Sequence, residues 1–284
     1  MNDMPDKTSA PDRDSGTVAE PAPKGSPKAK AMNAAAARHA VPFALWIGIM
    51  LVAQGMHLVP SSATEETEAL GVVSDAALYA IRTVVVALAL LVLRPWRHYR
   101  GLFKASHLPA ALAVGAAVFA AWVVPQSDWF GAAFPGLSGL YARWCVGWDF
   151  GTAPDFADLA AKARGWYHPS VTGWPLFAVH MFGTSVVIAA AEEFFWRGYL
   201  LRAARTPDFL DISPGTFHAL SFFAVSAAFA AEHHELAAGL VAGLAYGLLF
   251  VKTKGDVWSA AAAHALTNAA LGVYVLLTGH WEFW

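Results

Sequence analysis

Cysteine is nearly absent. Cys145 is the only one in 284 residues, which excludes an internal disulfide framework and any cysteine-based zinc cluster. The lone thiol has no special setting and reads as packing. Charge is scarce as well: Asp, Glu, Lys and Arg make up 14% of the chain and the formal net charge is −2. No basic face is on offer to a nucleic acid, and the few charges matter by position rather than by sum. Apolar periodicity is missing from residues 1–39, a stretch of Pro, Ala, Ser and charge that reads as a disordered tail. That tail lacks the early apolar core and small-residue cleavage site of a signal peptide.

What the chain has in excess is apolar surface. It is 57% hydrophobic with twelve tryptophans and has a positive mean hydropathy, outside the balance of a soluble domain. A bilayer-spanning helix needs roughly 20 mostly apolar residues. Stretches at about 41–60, 76–94, 108–125, 174–196, 216–232, 236–251 and 257–278 qualify, the fifth and sixth being short. The expected fold is all-α: a polytopic transmembrane helix bundle of about seven to eight spans, with a membrane domain over 40–284.

Lys and Arg set the expected orientation. Lys24, Lys28, Lys30 and Arg38 precede the first span; Arg94, Arg97, Arg100 and Lys104 follow the second; Arg197, Arg202 and Arg205 follow the fourth; Lys252 and Lys254 follow the sixth. The loop at 61–75 carries Glu65, Glu66, Glu68 and Asp75 without a basic residue. The positive-inside rule then predicts a multi-pass protein of the cell's inner (plasma) membrane, its N-terminal tail cytoplasmic and HWEFW outside. The one long connection, about 126–173, falls on the outer side. Trp129, Phe130, Tyr141, Trp144, Trp148, Trp166 and Tyr167 suit it to lying at the interface. Small residues in AAGLVAGLAYG and SAAAAHALTNAA allow close approach of the last helices.

Ionisable groups inside spans are functional candidates, because an unpaired charge there costs at least a few kcal/mol. In AAAEEFFWRGYL, Glu193 and Arg197 stand at i and i+4 with the acid first, the favourable order for a helical ion pair. Glu192 points about 100° away and sees Phe195 and Trp196, an apolar wall that disfavours its charge and can tune it as a base near neutral pH. A juxtamembrane cluster snorkelling to the interface fits the same residues. In FAAEHHE, His233 follows Phe229 by four residues; His264 and Asn268 share a face of the last span. That pair can donate into one cavity, as a developing oxyanion needs, or bridge helices. His57, Arg82, His180 and His218 have no partner at helical spacing and read as packing.

Taken in order, Glu192-Glu193-x-x-x-Arg197, Phe229-x-x-x-His233 and His264-x-x-x-Asn268 resemble the CPBP intramembrane protease family, which includes CAAX prenyl endopeptidases and bacteriocin-related self-immunity proteins. The resemblance covers 174–278 as the catalytic core. It implies a helical bundle with a polar cavity open to the cytoplasm, hydrolysing a peptide bond of a membrane-associated protein or peptide without an acyl-enzyme. It further implies Glu192 as general base, His233 orienting the water, His264 and Asn268 holding the oxyanion, and Glu193, Arg197 and Phe229 in support. The long outer insert and the bacterial-looking membrane plan resemble the CAAX-protease-related subgroup associated with exosortase protein-sorting systems.

Other intramembrane protease signatures are missing. His234-Glu235 is followed by Ala238 where a zinc HExxH needs histidine, no Gly-x-Ser-x-Gly stretch supplies a nucleophile, and Lys254-Gly255-Asp256 lacks the leading glycine of a Gly-x-Gly-Asp motif. No cofactor is expected. Two other readings stay open: a zinc enzyme using Glu192 or Glu193 with both histidines, and a non-enzymatic maturation or immunity factor that binds a partner in the cavity. Nothing in the sequence sets an oligomeric state. Straight spans also leave a conflict, since Glu192 falls near the cytoplasmic end of its span and His233 near the outer end of the next.

Overall fold

A computed structural model describes residues 22–57, 65–99, 101–102 and 104–284, with side chains placed for all of these except 53–57 and 65–76. His57 is among the side chains outside that set. Helix α1 (Pro27–His57) starts far earlier than the first apolar run. Residues 27–39, expected in the tail, are therefore corrected to helix. Pro27 occupies the first turn, the Ser26 hydroxyl accepts from the Ala29 amide at 3.2 Å, and the alanines that follow are the best helix formers. Met32 and Ala35 then pack on Phe209, which gives this segment a small core of its own.

Helix α2 (Glu65–Leu93) pairs with α1, and α3 (Leu108–Val123) follows after two 3-10 turns. The long connection is not a loop but four short helices, α4 (Asp128–Ala133), α5 (Pro135–Trp144), α6 (Phe156–Tyr167) and α7 (Pro169–Thr172). The next span, α8 (Trp174–Ala203), is 30 residues long, and α9 (Ala219–Ala231), α10 (Leu236–Lys252) and α11 (Val257–Thr278) complete the bundle. Four described segments are long and apolar enough to cross a membrane, Pro27–Val52, Ala105–Gln126, Trp174–Ala203 and Val257–Thr278; Ala77–Leu93, Ala219–Ala231 and Leu236–Lys252 are shorter apolar helices. The chain is a multi-pass, all-α membrane bundle.

Contacts between segments distant in sequence close each end. At one end Lys28 pairs with Asp208 at 3.0 Å and Asp211 at 2.6 Å, Arg202 donates to the Tyr99 hydroxyl at 2.7 Å, and His107 meets Asp256 at 2.8 Å. At the other, the insert docks through the Gly147 amide to the His234 carbonyl at 2.8 Å. The His168 ring there lies 5.1 Å from Trp281. Small residues bring backbones together in between. A Cβ on Gly115 would lie 2.5 Å from the Ala263 carbonyl, and one on Gly243 would lie 2.8 Å from that of Ser226, so α3 seats against α11 and α9 against α10.

The length of α9 resolves the conflict in depth. Its thirteen residues rise only about 20 Å, short of the roughly 30 Å hydrocarbon core, and the turn that follows brings His233 to the cavity that Glu192 also lines. Helix α8 runs on past Glu192 to Ala203, which moves Glu192 inward as well.

Candidate active site

The Glu192-Glu193 pair sits on a short α-helical stretch, Ala189–Glu193, between two π-helical ones, Gly183–Ile188 and Phe194–Leu200. A π turn shifts the helix face and leaves carbonyls to other partners, and such turns collect at functional sites. Gly183 is needed for the close approach of α2, since a Cβ there would lie 2.6 Å from the Thr83 hydroxyl. The predicted ion pair is present: Arg197 Nη1 donates to Glu193 Oε1 at 2.7 Å, with both side chains almost completely buried. Arg197 Nη2 also donates to the Gly243 carbonyl at 3.1 Å, and its guanidinium lies 4.4 Å over the ring of Phe229. Cation–π contact of this kind gives the phenylalanine of the second motif a physical role.

His264 is held by Glu193 and faces Glu192. Its Nδ1 lies 3.0 Å from Glu193 Oε1 and its Nε2 4.0 Å from Glu192 Oε2. Because Glu193 accepts, the Nδ1 proton points there and Nε2 faces Glu192. The ring stacks on Tyr246 at 5.1 Å, whose hydroxyl donates to Thr267 at 2.7 Å. Asn268 Nδ2 donates to the Thr184 carbonyl at 2.9 Å, within the first π stretch. His233 Nδ1 donates to the Phe229 carbonyl at 2.7 Å, since a carbonyl can only accept, and this leaves Nε2 as an acceptor.

Glu192, His233, His264 and Asn268 thus come together from three helices, or their flanking turns, around one cavity of about 250 Å³. The cavity continues away from them toward His180, Phe283 and Trp284, which also line it. His180 is not simple packing: it stacks on Tyr167 at 4.0 Å and accepts from the Trp284 indole at 2.5 Å. Arg82 lies 3.6 Å over Trp46, which also lines the cavity, and His218 caps α9 by accepting from the Ser221 amide.

Sequence reasoning passed over Tyr246, Thr184 and Glu232, and took Trp196 only as part of an apolar wall beside Glu192. Glu232 was legible as an acid beside His233 in FAAEHHE. Its Oε1 accepts from the Trp196 indole at 3.0 Å, a contact that depends on how α8 and α9 cross. For a metal, the residues that gather differ from those anticipated. Glu192, Glu232 and His233 offer ligand atoms all within 4.8 Å of one another, whereas Glu193 Oε1 is engaged by Arg197 and His264.

Residues 174–270 match the family model described as Type II CAAX prenyl endopeptidase Rce1-like. The match agrees with the resemblance to the CPBP family carried by the three motifs and spans all of them; it does not reach to an exosortase-associated subgroup. No curated protein and no solved structure matches the chain.

Proposed function

We propose that this multi-pass chain, similar over 174–270 to the Rce1-like CAAX endopeptidases, is an intramembrane endopeptidase that uses a glutamate-activated water. The observation that carries the reading is the convergence of Glu192, His233, His264 and Asn268 on one cavity. Glu192 has a buried oxygen, Oε2, without a hydrogen-bond partner, and that oxygen is the proton acceptor. His233 Nε2, left as an acceptor by the bond from Nδ1 to Phe229, orients the water's other proton.

The water attacks the carbonyl carbon of the scissile peptide as its proton passes to Glu192. The resulting oxyanion accepts from the second Nδ2 hydrogen of Asn268 and from His264, which in its doubly protonated form donates through Nε2 while Nδ1 stays on Glu193. The tetrahedral intermediate then collapses: the C–N bond breaks and Glu192 returns the proton to the leaving amine. Glu193 and Arg197 set the angle of His264 and leave the proton transfer to Glu192. The substrate is a peptide or protein segment that enters from the bilayer, and the basic end of the bundle lies in the cytoplasm of a plasma-membrane protein.

Comparing the termini of membrane-associated peptides between cells carrying the parent chain and Glu192→Gln tests this. A set of termini should vanish in the variant, and purified protein should restore them from a synthetic segment. Glu192→Gln keeps shape and hydrogen bonding but not basicity, so full retention of function in that variant would favour a binding factor over an enzyme.

A further inference from the structure

We infer that Glu192, Glu232 and His233 form a divalent-cation site of the zinc class at the rim of the cavity, a role none of the three motifs assigns to Glu232. Each residue offers one ligand atom, and these atoms lie within 4.8 Å of one another. Bonds of about 2.0–2.2 Å to one ion require them to draw in by roughly an ångström, within reach of ordinary side-chain rotation.

Three further contacts prepare the ligands. His233 gives its Nδ1 proton to the Phe229 carbonyl at 2.7 Å, which fixes the tautomer and presents the Nε2 lone pair. Trp196 donates to Glu232 Oε1 at 3.0 Å and so orients that carboxylate from α8. Outer-sphere donors to a ligating histidine and to a ligating carboxylate are what a metal site needs to hold its geometry. Glu192 supplies an independent sign: its Oε2 is buried without a hydrogen-bond partner, while its carboxyl lies close enough to that of Glu232 to hydrogen-bond with it. Glu192 is buried while Glu232 is exposed at the rim, and two carboxyls so close repel each other unless a shared proton or a cation lies between them. The imidazole beside them favours the cation. Two carboxylate oxygens and one imidazole nitrogen, with the cavity side open, form a three-ligand set that zinc takes with water in the fourth position.

The site stands on the geometry of the three side chains; its effect on hydrolysis rests on the endopeptidase reading. An ion bound to Glu192 occupies the lone pair that would accept the proton from water, so a loaded chain should hydrolyse more slowly than a stripped one.

The test is titration of purified, chelator-stripped protein with zinc, and with cobalt as a spectroscopic reporter. One ion per chain is expected. Affinity should fall at least about tenfold in Glu232→Gln and in Trp196→Phe, and should be retained in His264→Ala. Absence of saturable binding overturns the site, and so does affinity unchanged by Glu232→Gln, which is the result a shared proton gives. Loss of binding in His264→Ala also overturns it, in favour of a two-histidine site. Hydrolysis is read separately. If zinc binds as described but neither stripped nor loaded protein cleaves, the endopeptidase reading falls and the site stands; if stripped protein cleaves and no zinc binds, the reverse holds.

Discussion

Glu193 Oε1 accepts from Arg197 at 2.7 Å and contacts His264 Nδ1 at 3.0 Å, so one buried oxygen couples the ion pair of α8 to the imidazole of α11. Glu193→Ala leaves Arg197 charged and unpaired in the core, at a cost of about 3–5 kcal/mol, and should lower the thermal midpoint in detergent accordingly. Glu193→Gln is milder for folding but frees the His264 ring. A catalytic group displaced by about 1 Å can lose about 100-fold in rate, which kcat for a synthetic peptide would register. The double variant Glu193→Gln/His264→Gln should be markedly less impaired than the two single losses combined.

That coupling marks the limit of what could be read from the chain alone. The Glu193–Arg197 pair follows from helical spacing, and the seven apolar helices follow from composition and length. The contact of His264 with Glu193 spans 71 residues and depends on how α8 and α11 cross, which no local pattern encodes. The π stretches on either side of Ala189–Glu193 are equally invisible to a 3.6-residue period, although they set which way Glu192 and Thr184 face. Residues 27–39 were misjudged for another reason. Their composition fits disorder, and the surface that receives Met32 and Ala35 comes from distant residues, Phe209 with Tyr199 and Leu210. The place of His233 was hidden because Glu232–Glu235 read as a surface boundary, whereas this turn pairs with the insert through a bridge between Glu235 and Val146.

Gly115 tests how tightly the last helix is seated. An added methyl would meet the Ala263 carbonyl at 2.5 Å, and the Gly115 carbonyl itself accepts from Thr267 at 2.9 Å. Gly115→Ala should therefore push α3 from α11 at a cost of about 1–3 kcal/mol and disturb His264, next to Ala263. Gly139→Ala has nothing within 4 Å of the new methyl and should be neutral or slightly stabilising. A thermal-shift comparison of the two variants is the check.

Docking of the start of α1 should depend on pH through Asp208. A hydrogen bond from Lys28 holds this carboxyl below its ordinary value of 3.8, and the Ala22 amide adds to it. A depressed folded value means that the contribution is present above the ordinary value and is lost as the pH falls through the folded one. Residues 27–36 should stay protected from hydrogen exchange, corrected for intrinsic rate, from neutral pH to about pH 4, then lose protection. In Asp208→Asn they should exchange a few-fold faster than in the parent at pH 7.

Asn268 separates oxyanion stabilisation from helix bridging. Its Nδ2 already donates one hydrogen to the Thr184 carbonyl at 2.9 Å, and only the second is left for a substrate. If that hydrogen meets the developing oxyanion, Asn268→Ala should lower kcat about 10²–10³-fold, or about 2.7–4 kcal/mol, with little change in KM, because the charge it meets exists only in the transition state. The same variant orphans the Thr184 carbonyl, which costs about 1–3 kcal/mol of stability, so activity must be measured well below the thermal midpoint. Thr184→Ala supplies the contrast. It removes the hydroxyl that bonds the His180 and Met181 carbonyls but keeps the carbonyl that Asn268 uses, and should leave kcat within a few-fold of the parent. If Asn268→Ala lowers only the melting temperature while kcat stays with that of Thr184→Ala, the residue bridges α11 to α8 and the oxyanion is held by His264 without it.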